Sequence, residues 1–310
     1  MTTDAWFDDL PMLGQMPPAQ AAAKLREVGE DEVADAIENA QFKVTTDSTK
    51  FGILEDLGFR PQLWLYSSHI FGYSVPEPNK TALSIQSASD ISADHTLKNT
   101  RIEIILKHIH VEAYPGGGTH HILFNFQAQN QLTERVETLN FTTTHRVREG
   151  KEVAIIDQPI FTALNVGIQG VAFHCVAVNV KNEEDERILK WLQSPFFSSG
   201  LTLITMPINQ LIAPVSELGI ALVSLLANRY KNLTAQNFEM GLDFGTDPRY
   251  VRLAEGDYIA VQTPESMKLA WDWDEWVYDP SSGQVVNDYD RTELIPYNYI
   301  IFSVNRYEET

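Results

Sequence analysis

Residues 101–129, RIEIILKHIHVEAYPGGGTHHILFNFQAQ, carry four of the chain's eight histidines, His108, His110, His120 and His121, together with Glu112. Imidazoles two apart on a strand share a face. Joined by a third imidazole from a facing strand and a carboxylate, they make a ligand set suited to Zn²⁺ or Fe²⁺. With one coordination position open, such an ion activates water or oxygen. This chemistry requires a hairpin, for which Pro115-Gly116-Gly117-Gly118 supplies the turn, and pairing Ala113 with His120 sets the register. His108, His110 and Glu112 then lie across from Asn125, Leu123 and His121, with Glu112 about 5 Å from His121. The opposite, apolar face carries Ile105, Ile109 and Val111 against Ala128, Phe124 and Ile122, with Lys107 out of pattern. His120 falls on that apolar side, where a hydrogen-bonded structural imidazole is expected.

The bland reading of the same residues is a polar outer sheet face formed by His108, His110, His121, Asn125, Gln127 and Gln129. An HxH pair, a carboxylate and a later Pro-Gly turn followed by His resemble parts of the cupin signature. Here Glu112 follows His110 by only two residues and the turn comes at once, so membership of that family does not follow.

A second cluster lies in LAWDWDEWVYD and the residues after it, where Asp272, Asp274, Asp288 and Asp290 offer carboxylates at loop ends. Such oxygens suit Ca²⁺, as in a calcium-responsive C2-like sandwich, whereas an EF-hand is excluded because its obligatory glycine would be Val277. Trp273, Trp276 and Tyr278 sit among these acids. Aromatics ringed by charge suit a protein partner or, less readily, a sugar. The expected alternatives are a solvated acidic rim and ordinary core.

Other catalytic handles are missing: the sequence holds no GxSxG elbow, Walker A loop or HExxH helix. Cys175 is the sole cysteine, so neither an intrachain disulfide nor a multi-thiolate site can form within these 310 residues. His174 beside it alternates to the other face of a strand, which breaks any nucleophile and base pairing and makes Cys175 a buried small hydrophobe.

The elements that must position these groups read as mainly β. Candidate strands fall near 62–67, 81–86, 101–113, 120–128, 135–147, 152–157, 170–180, 201–206, 257–263, 267–271, 275–279, 284–287 and 294–306, with a hairpin turn at 280–283. They lack the regular βαβ alternation of a parallel nucleotide-binding sheet. Two helical segments interrupt the series, one after Asn182 and one from Pro214 with Val215, Leu218, Leu222, Leu225 and Leu226 as its stripe. Ahead of these, AQAAAKLREVGEDEVADAIENA forms a helical pair broken at Gly29, with Ala22, Leu25, Val28, Val33, Ala36, Ile37 and Ala40 apolar. It is too small to hold a core alone and must dock on the main body or on another chain. The expectation is an antiparallel β-sandwich over 46–310, with a helical insertion near 182–232 and a short helical appendage at 1–45.

Lys and Arg number 23 against 42 Asp and Glu, a formal charge of −19, and residues 181–310 hold 20 of the acids. That balance excludes nucleic acid and anionic lipid as principal partners. With no run long enough to span a membrane, no signal segment at residue 1 and one thiol, the expected address is the cytoplasm. The leading expectation is a non-enzymatic protein-interaction or assembly module that works through a protein partner or as a homo-oligomer, with the helical pair at 1–45 as its docking piece. The rivals are a Zn or Fe enzyme at His108, His110, Glu112 and His121, and a Ca²⁺-responsive module at the four aspartates.

Overall fold

The chain was analysed as a computed structural model that describes residues 10–40, 63–77, 80–131, 136–181, 185, 188–190, 212–247 and 249–309. Strands β1 (Ser68–Ser74), β2 (Leu83–Ser84), β3 (Gln86–Ser87), β4 (Arg101–Val111), β5 (Thr119–Gln131), β6 (Val136–Arg148), β7 (Lys151–Asn165) and β8 (Gly170–Val180) make up the first part. Strands β9 (Leu233–Asp243), β10 (Val251–Arg252), β11 (Gly256–Thr263), β12 (Trp276–Asp279), β13 (Gln284–Asn287) and β14 (Tyr299–Arg306) follow. They build a six-stranded sheet in the order β3-β1-β11-β14-β4-β7, a five-stranded sheet β10-β9-β8-β5-β6, and a small sheet β13-β12-β2. Apart from the parallel contact of β10 with β9, the pairings are antiparallel.

The two large sheets pack face to face. Ile104, Leu106, Tyr258, Ile300 and Phe302 from one sheet share a core with Phe124, Phe126, Phe173 and Cys175 from the other. The Phe302 ring meets those of Phe173 and Phe126 at 5.1 and 6.1 Å, so rings from the facing sheets touch edge to face. The protein is thus mainly β, with a sandwich at its centre.

Both outer faces are also partly covered. On the five-stranded sheet, helix α3 (Ile212–Ala227) packs Val223, Leu226 and Ala227 against Leu123, Val176 and Val178. Leu225, placed on the apolar stripe by spacing, is instead 51% exposed, because the buried stripe runs through Val223. On the six-stranded sheet, the small sheet lays Trp273, Trp276, Tyr278 and Val285 over Ile259, Tyr299 and Ile301.

Helices α1 (Pro18–Glu27) and α2 (Asp31–Ala40) insert Ala21, Ala22, Leu25, Val33, Ala34 and Ile37 into the core shared by the sheets. Their apolar positions, as read from sequence, are therefore spent on the chain's own body. Lys24 donates to the Arg229 carbonyl and Glu30 accepts from the Gly116 amide, which ties the pair to two distant loops.

Several elements lie elsewhere than the residue pattern suggests. Strand 62–67 begins at Ser68 after a short 3₁₀ turn over Leu63–Leu65, and 267–271 is a 3₁₀ turn (Glu265–Met267) with its following bend. Only residues from Tyr299 onward are strand in 294–306. Strand β9 went unpredicted. A register shift opposite Ala177 and Val178 breaks its alternation between Ala235 and Phe238, which hides the period of two. The expected strand 201–206 and most of the helix after Asn182 lie outside the described residues.

Candidate functional site

The expected histidine hairpin does not form. β4 pairs with β14 and β7, while β5 pairs with β6 and β8, so the segment 112–118 crosses from one sheet of the sandwich to the other. Ile122, Phe124, Phe126 and Ala128 do point into the core, as alternation requires. Their partners are different strands from those the turn residues suggested. His121 consequently belongs to the outer side of one sheet, and His108 and His110 to the outer side of the other.

What remains of the constellation is a pair. His110, 1% exposed, lies 3.3 Å from Glu112 through Nε2 and stacks on Tyr299 with ring centroids 4.7 Å apart. Hydrogen bonding to His110 holds the Glu112 carboxyl below its usual range. His120 is fully buried between Glu149 and Asn179, each at 3.1 Å, the structural imidazole expected of it. Cys175 is buried in the core, and burial raises its thiol well above the ordinary value.

The four aspartates are engaged locally. Asp272 accepts from the Asp274 amide at 2.9 Å, Asp290 caps Thr292, and Asp288 pairs with Arg291. Among the described residues, no three His, Cys, Asp or Glu side chains gather as a metal-ligand set. Trp273, Trp276 and Tyr278 are 8%, 9% and 1% exposed, so they are core of the small-sheet layer rather than an open aromatic surface. Trp273 and Tyr278 nevertheless line two clefts.

The first, the edge cleft, encloses about 820 Å³ and runs along the open side of the sandwich. Among the described residues, β1 pairs with β3 only at Gly72 and Tyr73, and β9 pairs with β10 only at Leu242 and Asp243. The remainder of β1, with Ser67 before it, faces Asn237, Phe238 and Glu239 of β9 across the cleft. The Phe71 carbonyl accepts from Ala88. Alternation then turns the backbone groups of His69 and Ser67 the same way, beyond the end of β3. Trp273 approaches β1 closely because Gly72 has no side chain; a Cβ there would stand 2.8 Å from the indole.

Among the described residues, Ser68 Oγ, His69 Nε2 and Trp271 Nε1 in this cleft are buried without a hydrogen-bond partner. Burial, only partly offset by the Gln236 side chain, brings His69 down to about 3, so its imidazole is neutral at physiological pH. The rim holds Tyr250, 45% exposed, and Leu269, fully exposed.

The second, the bulge cleft, encloses about 430 Å³ between the six-stranded sheet and the small one. Its cause is an irregularity in β4. The inward residues run Ile102, Ile104, Leu106 and then Ile109, Val111, a change of phase at Lys107. Opposite this point, Ile301 and Phe302 pair with His108 and Leu106, leaving Lys107 as the inserted residue. The strand on the other side is irregular too: β7 pairs Gln158 with Leu106 and Ala154 with His108, and Asp157 between them has φ +35°. Lys107 and His108, neighbours in sequence, thereby both line one cleft.

There Lys107 Nζ lies 2.7 Å from Asp157. Asp257, 3% exposed, accepts from the Ser303 hydroxyl, and burial raises its carboxyl above the ordinary aspartate range. Burial and the nearby aspartates push the Tyr278 phenol up. The His108 ring sits under Gly283, edge-on to Tyr278 at 6.3 Å. Sequence reasoning named His108 and Tyr278 but missed Lys107, Asp157 and Asp257. The misfit of Lys107 in the alternation was the available signal for the bulge.

The chain matches no family model, no curated protein and no solved structure. No described helix is long and apolar enough to cross a membrane.

Proposed function

We propose that the protein is a binding module whose edge cleft receives an extended polypeptide segment alongside β1. The observation that carries this reading is the side of β1 away from β11, which among the described residues has no strand beside it before Gly72, set in a cleft that also holds buried polar atoms with no hydrogen-bond partner among those residues. An incoming strand offers alternating N–H and C=O groups to the backbone of Ser67 and His69. Its side chains on one side reach Phe71 and Phe238, and on the other Ile70 and Trp273. Exposed Leu269 and Tyr250 extend the contact at the rim. The charge of −19 disfavours a phosphate backbone as the occupant. The single buried thiol suits a reducing, cytoplasmic setting.

The helical pair does not serve as the docking piece in this reading, since its apolar residues are buried in the shared core.

The test is selection of displayed random heptapeptides on the full chain, followed by amide hydrogen exchange with a selected peptide. Protection of the Ser67 and His69 amides is expected, with binding lost in Ser89→Trp, which fills the cleft, and weakened in Leu269→Asp. Peptides that bind equally well to both variants, or an absence of selected peptides, would overturn the reading. Self-association abolished by the same two substitutions would identify the occupant as a segment of a second copy.

A further inference from the structure

We propose that the bulge cleft is a separate small-molecule site for a neutral ligand carrying adjacent hydroxyl groups, the vicinal diol of a sugar or polyol. A regular β4 would send Lys107 and His108 to opposite faces of the sheet, and the inserted residue brings both to one cleft. On the adjoining β7, Asp157 adopts a left-handed φ of +35°, a conformation side chains other than glycine seldom take. Two irregular strands side by side are a costly way to build a solvent-facing patch and a direct way to aim a lysine and an aspartate at one space.

The donors and acceptors then specify the guest. Asp257 is buried, and Ser303 is its one hydrogen-bond partner among the described residues, so a carboxyl oxygen is left for the cleft. Ser74 and Ser303, its neighbours on β1 and β14, continue a polar row across an otherwise apolar sheet face, and Ser74 Oγ has no hydrogen-bond partner among the described residues. Tyr278 brings a phenol from the small sheet, and Asn305 lines the far side. Lys107 already pairs with Asp157, and the other carboxyl groups of the lining are Asp257 and Glu77, the latter paired with Lys80, so the cleft offers no excess positive charge for an anion to answer. What it offers is acceptors and donors interleaved over a short distance. A hydroxyl both donates and accepts, and two adjacent hydroxyls match such a pattern where a carbonyl or an amine would leave one set unmet. The volume of about 430 Å³ lies within the range of small-ligand pockets.

Saturation-transfer NMR on the full chain tests the assignment, with D-glucose and myo-inositol as vicinal-diol probes and 1,3-propanediol as the control. At about 10 mM ligand, where Kd values in the mM range are readable, transfer to at least one diol probe should exceed that to the control. It should fall about three- to tenfold in Tyr278→Phe and in Asp157→Asn, as the loss of one hydrogen bond implies. Tyr278→Phe keeps the ring in place, and Asp157 is exposed, so both variants should fold. Transfer no greater than the control's, or transfer unchanged in both variants, overturns the proposal. So does transfer abolished by Leu269→Asp, which would move binding to the edge cleft.

Discussion

The two faces of the six-stranded sheet are built to different rules. The inner face presents Ile102, Ile104, Leu106, Tyr258, Ile300, Phe302 and Val304 to a facing sheet of similar size, and almost every side chain there is apolar and buried. The outer face meets three short strands. Under them it is apolar, with Ile259, Tyr299 and Ile301, but beyond their edge it turns to Asp257, Ser303, Lys107 and His108. Where a cover is complete, burial of apolar area decides every residue. Where it stops, polar groups sit half-enclosed, and their costs must be met by one another or by a ligand.

The inner face should therefore dominate stability. Phe302→Ala removes a ring that touches both Phe126 and Phe173 of the other sheet and should cost about 3–5 kcal/mol in chemical denaturation. Leu25→Ala in α1, fully buried in the same core, should cost about 2–5 kcal/mol. If Leu25→Ala costs less than about 1 kcal/mol, the helical pair would be an appendage after all, and its apolar face would again be open to a partner.

Acid should weaken the structure once pH falls below the ordinary histidine value. Burial lowers His69 to about 3 and His145 to about 4 from an ordinary 6.5. A group with a depressed native pKa binds protons in the unfolded state first. Its contribution is whole above pH 6.5 and declines as pH falls toward the native value. Each histidine can lower unfolding free energy by up to about 1.4 kcal/mol per pH unit in that window. The slope measured between pH 6.5 and 4 should flatten in His69→Asn with His145→Asn. A slope unchanged by both substitutions would show that the edge cleft does not desolvate His69.

How much of this was legible in the sequence depended on regularity. Alternation in 120–128 assigned Ile122, Phe124 and Ala128 to the core, and the same logic separated Cys175 from His174. It could not say which strand β5 pairs with, because the Pro-Gly-Gly-Gly segment serves a crossing between sheets as well as it serves a hairpin. Every long-range pairing error in the histidine constellation follows from that ambiguity. The bulge cleft was illegible for a related reason. Its residues come from β4, β7, β11, β12 and β14, and two of them owe their direction to inserted residues that a period-two reading treats as noise. The turn at Pro280-Ser281-Ser282-Gly283 was readable because its chemistry is local, and Gly283 does take φ +74°.

That glycine also joins the two regimes, since it holds the small sheet down on the outer face. A Cβ at Gly283 would stand 2.0 Å from His108 Nδ1 in a backbone conformation that disfavours side chains. Gly283→Ala should cost about 2 kcal/mol through overpacking and strain. It should also shift the His108 imidazole resonances while leaving those of His120, across the sandwich, unmoved. An equal shift at both histidines would mean a global loosening and would erase the distinction between a rigid inner face and an adjustable outer one.

The smallest effect should carry the opposite sign. Asp157 sits at φ +35° and 66% of its side chain is exposed, so its pair with Lys107 is a surface interaction worth little. Asp157→Gly removes the left-handed penalty and should raise stability, or leave it unchanged, within about 1 kcal/mol. The same substitution deletes a carboxylate of the bulge cleft and should weaken diol binding as Asp157→Asn does. Improved stability with impaired binding would mean that the irregularity in β7 is retained for its site at the expense of the fold. Reduced stability would instead make the Asp157 and Lys107 pair a structural clamp on the bulge, and the outer face would then follow the same rule as the inner one.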